Sequence, residues 1–161
     1  MHAKFLKYSV APDPPRSGGT AEHPAWDDPM QSVPQPAWSD IESAIRRLDG
    51  RRYRHLLLWP TDDESQHDPN PGSHDFLTVI GGNWAYVVNV SFTDGSESFL
   101  RVVGPPNREV IVLPDPDDFV DGAWTEAACR VCRDVDTVVQ AVRYYAERGS
   151  LDPTLSWETL S

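Results

Sequence analysis

The sequence predicts an α+β fold: a mainly antiparallel sheet of about five or six strands with two helices packed on one face. Three observations carry this. Phe76–Leu113 is punctuated like an antiparallel meander. Two separate stretches, opening at Ser39 and at Asp134, each carry a helical apolar stripe closed by a glycine. Arg54–Trp59 and the C-terminal tail supply further extended segments.

The meander sets the rest of the fold. Phe76 to Ile80 is β-rich and ends at Gly81-Gly82-Asn83, which is turn chemistry. From Trp84 to Phe92 the pattern has period two. Trp84, Tyr86, Val88, Val90 and Phe92 share one face, and Ala85, Val87, Asn89 and Ser91 share the other, so one buried and one wetter face are expected. Asp94-Gly95 is a two-residue hairpin signal that calls for positive φ at both positions. Phe99–Val103 returns, Gly104-Pro105-Pro106-Asn107 breaks it, and Val110–Leu113 is the fourth strand.

The first helix is expected to open on Ser39 as N-cap, with Glu42 completing a capping box. Ile41, Ala44, Ile45 and Leu48 form its stripe, and Gly50 stops it. In Arg54–Trp59 both faces are apolar, which predicts a central strand. The second helix opens on Asp134 and buries Val135, Val138, Val139, Val142, Tyr145 and Ala146 before Gly149. Trp124–Cys132 reads as extended, and Leu155 and Trp157 are expected to fold back onto the sheet.

Residues 1–37 read as a disordered, proline-rich segment, with room for a short edge strand near Gln31–Val33. Residues 38–161 then form a single α+β domain. At 161 residues the chain is long enough to bury a substantial core. No apolar run is long enough to span a bilayer, and Lys7 interrupts Phe5-Leu6 where a secretory signal would need a longer apolar stretch. Cys129 and Cys132 are too few for a disulfide framework and suit a reducing cytoplasm. A formal net charge of −11 argues against nucleic acid and anionic membrane as direct partners and for a basic protein.

No nucleophile elbow, phosphate loop or dinucleotide fingerprint is present. Cys129-Arg130-Val131-Cys132 lacks the second pair of a zinc site, so buried structural thiols are expected. His67, Asp68, His74 and Asp75 could ligate a metal, but prolines lie between the two pairs and no fixed geometry is implied. Neither a cofactor nor a metal is expected. Carboxylates concentrate in two loops, Thr61–Asp75 and Pro114–Asp121. Asp62, Asp63, Glu64 and Asp68, with Asp115, Asp117 and Asp118, are read as an acidic rim facing a basic partner. Trp59 and Trp124, beside these loops in sequence, are its candidate apolar anchors.

Thr125–Val131 leads into the helix Asp134–Arg148 with its Tyr144-Tyr145 pair, then Gly149, Asp152-Pro153 and Leu155-Ser156-Trp157-Glu158. This strand, helix, G, P and terminal W-E pattern resembles the family-one immunity proteins of bacterial polymorphic toxin systems. The strand before Gly81-Gly82 and the strand after it are also similar to that family. The resemblance covers Trp38 to Leu160, and the long Thr61–Asp75 loop departs from the pattern. It implies a cytoplasmic, non-enzymatic antidote. Such a protein binds the C-terminal toxin domain encoded beside it, typically a nucleic-acid deaminase, and blocks its active or substrate-binding site. The alternatives are a stand-alone acidic protein-binding module, or a small metal-dependent enzyme built on His67 and His74.

Overall fold

The computed structural model describes residues 1–11, 29–60, 75–102, 108–113 and 124–161. Its centre is a seven-stranded antiparallel sheet with strand order β2-β1-β3-β4-β5-β6-β9. The strands are β1 Phe5–Ser9, β2 Met30–Pro34, β3 His55–Trp59, β4 Phe76–Gly82, β5 Ala85–Ser91, β6 Glu97–Leu100 and β9 Trp157–Leu160. Helices α1 Trp38–Arg47 and α2 Val135–Arg148 cover one face. A separate two-stranded sheet, β7 Glu109–Leu113 with β8 Trp124–Ala127, packs on the opposite face. The architecture is α+β, with a larger sheet than the sequence predicts.

The extra strands come from the two ends of the chain. Residues 1–11 were expected to be disordered; instead β1 lies between β2 and β3, with Phe5 opposite both Pro34 and Trp59. Leu6 is 0% exposed. The reason is β3: all five of its residues are buried, so it needs a partner on each side, and β4 supplies only one. The short edge strand expected near Gln31–Val33 is β2. At the opposite edge the tail returns as β9 and pairs with β6. It takes the place expected for Val110–Leu113, which pairs with β8 instead.

The principal core lies between sheet and helices. Leu6, Leu56, Leu58, Leu77, Val79, Tyr86, Val88 and Val90 meet Ile41, Ile45, Val138, Val142 and Tyr145 there. The face of β5 expected to be wetter is also covered: Ala85 and Val87 pack with Ile80, Val112, Leu113 and Val131. A third cluster on that face holds Phe5, Leu57 and Trp59. Apolar residues on both faces of β5 are therefore explained by a layer on each side.

Local signals decide the helix ends. Asp134 caps α2, its carboxylate accepting from Asp136 N at 3.2 Å and Thr137 Oγ1 at 2.8 Å. Gly149 closes the helix at φ 70°, its N–H bonded to Tyr145 O at 2.8 Å. Helix α1 starts two residues earlier than expected, with Ala37 rather than Ser39 as N-cap. Asp40, not Glu42, reaches back, accepting from Ala37 N at 2.8 Å. That half of a capping box needs no side chain at the cap itself, which is why alanine suffices. After Ala127 the chain does not stay extended. Ala128–Arg130 is a 3-10 turn, and Cys132 then exchanges two backbone hydrogen bonds with Tyr86, at 2.8 and 2.9 Å.

Candidate functional site

One end of the sheet is built for display. Four consecutive residues, Gly81, Gly82, Asn83 and Trp84, have φ of 110°, 133°, 50° and 75°. The two-residue positive-φ turn that Asp94-Gly95 was expected to make is therefore at Asn83-Trp84. At the other hairpin only Gly95 has positive φ, and the Asp94 carboxylate accepts from Ser96 N and Oγ at 2.8 and 2.6 Å. Gly82 is required by contact: a Cβ there would lie 2.5 Å from Asp49 N, Gly50 N and Leu48 C. Gly81 sits against Val112 Cγ1. Asp49 bridges Gly82, and its Oδ1 accepts from the backbone N–H of Arg51, Arg52 and Tyr53 at 2.8, 2.9 and 3.0 Å. Ala11 N donates to Arg52 O at 2.6 Å. The hairpin tip is thus clamped by the loop after α1 and by β7, and that loop is in turn tied to Ala11.

This clamped tip presents Trp84. The residue is 74% exposed, and Met1 and Leu160 are the other large exposed apolar residues among those described. Asparagine tolerates left-handed backbone, but an indole-bearing residue there costs about 1–2 kcal/mol. Exposure forfeits the burial that usually offsets such a cost. Strain together with exposure makes Trp84 a candidate functional position. Beneath it, burial pushes the Tyr86 phenol above its ordinary value, partly offset by a backbone hydrogen bond from Trp84.

The charge distribution is the second feature. The described residues hold 13 acidic and 13 basic side chains, so they are formally neutral. The whole −11 belongs to the remaining sequence: residues 12–28 with four acidic and one basic, 61–74 with four acidic, and 114–123 with four acidic. Two of these stretches join the body at the Trp84 end. One follows Ala11, bonded to Arg52, and the other follows Leu113, next to Val112 against Gly81. The third is bracketed by Trp59 and Phe76, at the far end of β3 and β4, about 20 Å along the strand.

Asp62, Asp63, Glu64, Asp68, Asp115, Asp117 and Asp118, the acidic rim read from the sequence, lie outside the described residues, as do His67 and His74. The two loops bearing that rim leave the body at opposite ends of the sheet. Trp59 is 4% exposed, its ring 6.4 Å from Phe5 and 6.3 Å from Phe76, so it is a wall of the fold. Trp124 opens β8 opposite Leu113. In sequence Trp84 continues the period-two pattern of β5, which hides its place in the turn.

The terminal W-E motif is structural. Trp157 Nε1 donates to Asp152 O at 3.0 Å, and the ring packs on the principal core. Glu158 receives a fork from Arg130, at 2.9 and 3.1 Å, while Arg130 also reaches Glu126 at 3.2 Å and lies 4.5 Å from the Phe99 ring centre. The Arg130 hydrogen bonds hold the Glu158 carboxyl below its usual range. This cluster ties β9 to the segment after β8. Cys129 is half-buried and Cys132 is buried, neither is in a disulfide, and burial pushes the Cys132 thiol up. Among the described residues no group of three or more His, Cys, Asp or Glu could hold a metal ion. Nor is any helix among them long and apolar enough to cross a membrane.

The described residues define an α+β protein, a two-helix layer on a seven-stranded sheet with an exposed tryptophan at one end, and the acidic surplus of the sequence falls outside the described residues. Comparison with family models, curated proteins and solved structures finds no match, so the family resemblance rests on the quoted motifs.

Proposed function

We propose that this protein is a stoichiometric inhibitor of the immunity type. It binds a basic, nucleic-acid-acting toxin domain in the cytoplasm and blocks that domain's substrate-binding site. The observation that carries this reading is the segregation of charge: a neutral body with the entire −11 on the stretches 12–28, 61–74 and 114–123. A protein that grips a polyanion presents a basic cleft, and its affinity is largely electrostatic. An acidic inhibitor competes for the same field, and its charge speeds encounter and excludes polyanions. Trp84 supplies the other half of an interface, an apolar anchor held in place before binding. The motif resemblance points the same way.

The test is co-expression of the full chain with the C-terminal domain of the toxin encoded beside it. Restored growth, together with a complex that co-elutes at low salt and weakens at high salt, is expected. Continued growth arrest, with the two proteins eluting separately at low salt, would overturn the proposal.

A further inference from the structure

We infer that Trp84 and the arginines beside it, Arg47, Arg51 and Arg52, form a docking surface for an acidic polypeptide segment of another protein. This surface is distinct from the acidic stretches that carry the inhibitor reading, and it stands without that reading.

The backbone brings the arginines to this end. Helix α1 ends at Arg47, and the loop after it is pinned to the hairpin, where Asp49 bridges Gly82, two residues before Trp84. Arg51 and Arg52 follow directly and are exposed, as is Arg47. On the other side of the hairpin Cys132 is bonded to Tyr86, which brings exposed Arg133 alongside. None of these four arginines has an ion pair among the described residues. The carboxylates described nearby are engaged. Asp49 accepts from three backbone N–H groups, Asp134 caps α2, and Glu42 and Asp136 both hold Arg46. The uncompensated charge described here is therefore positive.

These side chains are also held in advance. The Arg47 guanidinium lies 5.7 Å from the Tyr8 ring centre and 5.3 Å from that of Tyr53, and the Arg52 guanidinium lies 5.9 Å from the Tyr53 ring centre. A guanidinium against a ring gives up rotamer freedom before binding and keeps its N–H fork for a carboxylate. Trp84 is fixed as well: 74% exposed, at φ 75°, on a tip whose Gly82 has no room for a Cβ. Trp, Tyr and Arg dominate protein–protein hot spots, and prior fixing lowers the entropy lost on association. Charge selects the occupant, because arginines without carboxylate partners complement an anionic surface. Nucleic acid is the competing anion, but a chain of net charge −11 repels an extended polyanion at long range. A short segment with a few carboxylates and one apolar side chain matches both the guanidinium forks and the indole, and meets less of that repulsion.

The probe is a fluorescent synthetic peptide rich in Glu and Asp with a single central phenylalanine, titrated with the full-length chain and followed by anisotropy. The controls are the same peptide with Gln and Asn in place of the acids, and a single-stranded oligonucleotide of matching charge. The variants are the double change Arg51→Glu with Arg52→Glu, and Trp84→Gly, each also measured for thermal unfolding. The acidic peptide should bind, and neither control should. Reversing both arginines should weaken binding at least about tenfold, and Trp84→Gly about 30-fold or more, with unfolding temperatures not lowered. Arg51→Glu alone, which leaves Arg52 against Tyr53, keeps the test valid if the double change unfolds the chain. Absence of binding by the acidic peptide would overturn the inference, as would equal binding of the amide peptide or an unchanged affinity in the arginine variants. Tighter binding of the oligonucleotide would assign the surface to nucleic acid and overturn it too. None of these outcomes decides the inhibitor reading, which its own co-expression test decides.

Discussion

Shortening Leu6 to alanine should destabilise the protein more than most single changes. Leu6 is 0% exposed and sits in β1, opposite Leu58 on one side and Val33 on the other, over the helix layer. The change removes three carbons, each contributing about 0.8 kcal/mol of transfer free energy. The cavity they leave adds to that, and buried Leu→Ala changes cost about 2–5 kcal/mol in total. Against a typical stability of about 5–15 kcal/mol this is a large share. At about 2–4 °C per kcal/mol for a chain of this length, the melting temperature should drop by about 5–15 °C. Removing residues 1–11 altogether should be worse, because it strips β3 of one neighbour and β2 of its only one. Urea unfolding followed by tryptophan fluorescence measures both variants. A cost below about 1 kcal/mol for Leu6→Ala would refute the placement of β1 inside the sheet, since surface changes fall in that range. So would an unchanged melting temperature for the truncated chain.

His55 makes a pH prediction. Its imidazole is 3% exposed, and burial first, then the Arg54 charge, pushes it down to about 4. The unfolded chain takes up a proton near pH 6.5 and the folded chain does not, so stability is full above about 6.5 and falls toward pH 4, by about 3 kcal/mol. His55→Leu should flatten that window in urea titrations at stepped pH; an unchanged slope would contradict the burial of a neutral ring. Two glycines separate contact from conformation. Gly82→Ala, with backbone at 2.5 Å and φ 133°, should cost about 2–4 kcal/mol, while Gly95→Ala, with φ 85° and nothing within 4 Å, should cost about 1 kcal/mol. Equal losses by thermal unfolding would undo the clamp described for the Trp84 hairpin.

What the sequence showed was local. The meander through β6, the central strand β3, the stripe of α2 and its caps at Asp134 and Gly149 follow from periodicity and cap chemistry within a few residues. What it hid was non-local. In β1 the five residues Phe5–Ser9 gain their structure from partners at Met30–Pro34 and His55–Trp59. The proline-rich composition of the following stretch masked them. The departure of β7 from the main sheet had a signal in Ala85 and Val87, apolar residues on a face expected to be wet, which require a covering layer. Of the candidate site, the acidic character was legible and the anchor was not. Trp84 continues the alternation of β5 in sequence but lies in the turn, and only the backbone angles separate the two.

The central claim is inhibition by binding, and titration of the toxin's own reaction tests it most directly. Purified full-length protein is added stepwise to the purified toxin domain acting on its nucleic-acid substrate, with activity read after each addition. Activity should fall linearly and reach zero at an equimolar ratio, and intact toxin should be recovered when the complex is separated in denaturant. Full activity at a molar excess of this protein would contradict the account. Loss of activity at far below equimolar ratio, with the toxin recovered chemically altered, would contradict it equally, because the protein would then be acting as an enzyme.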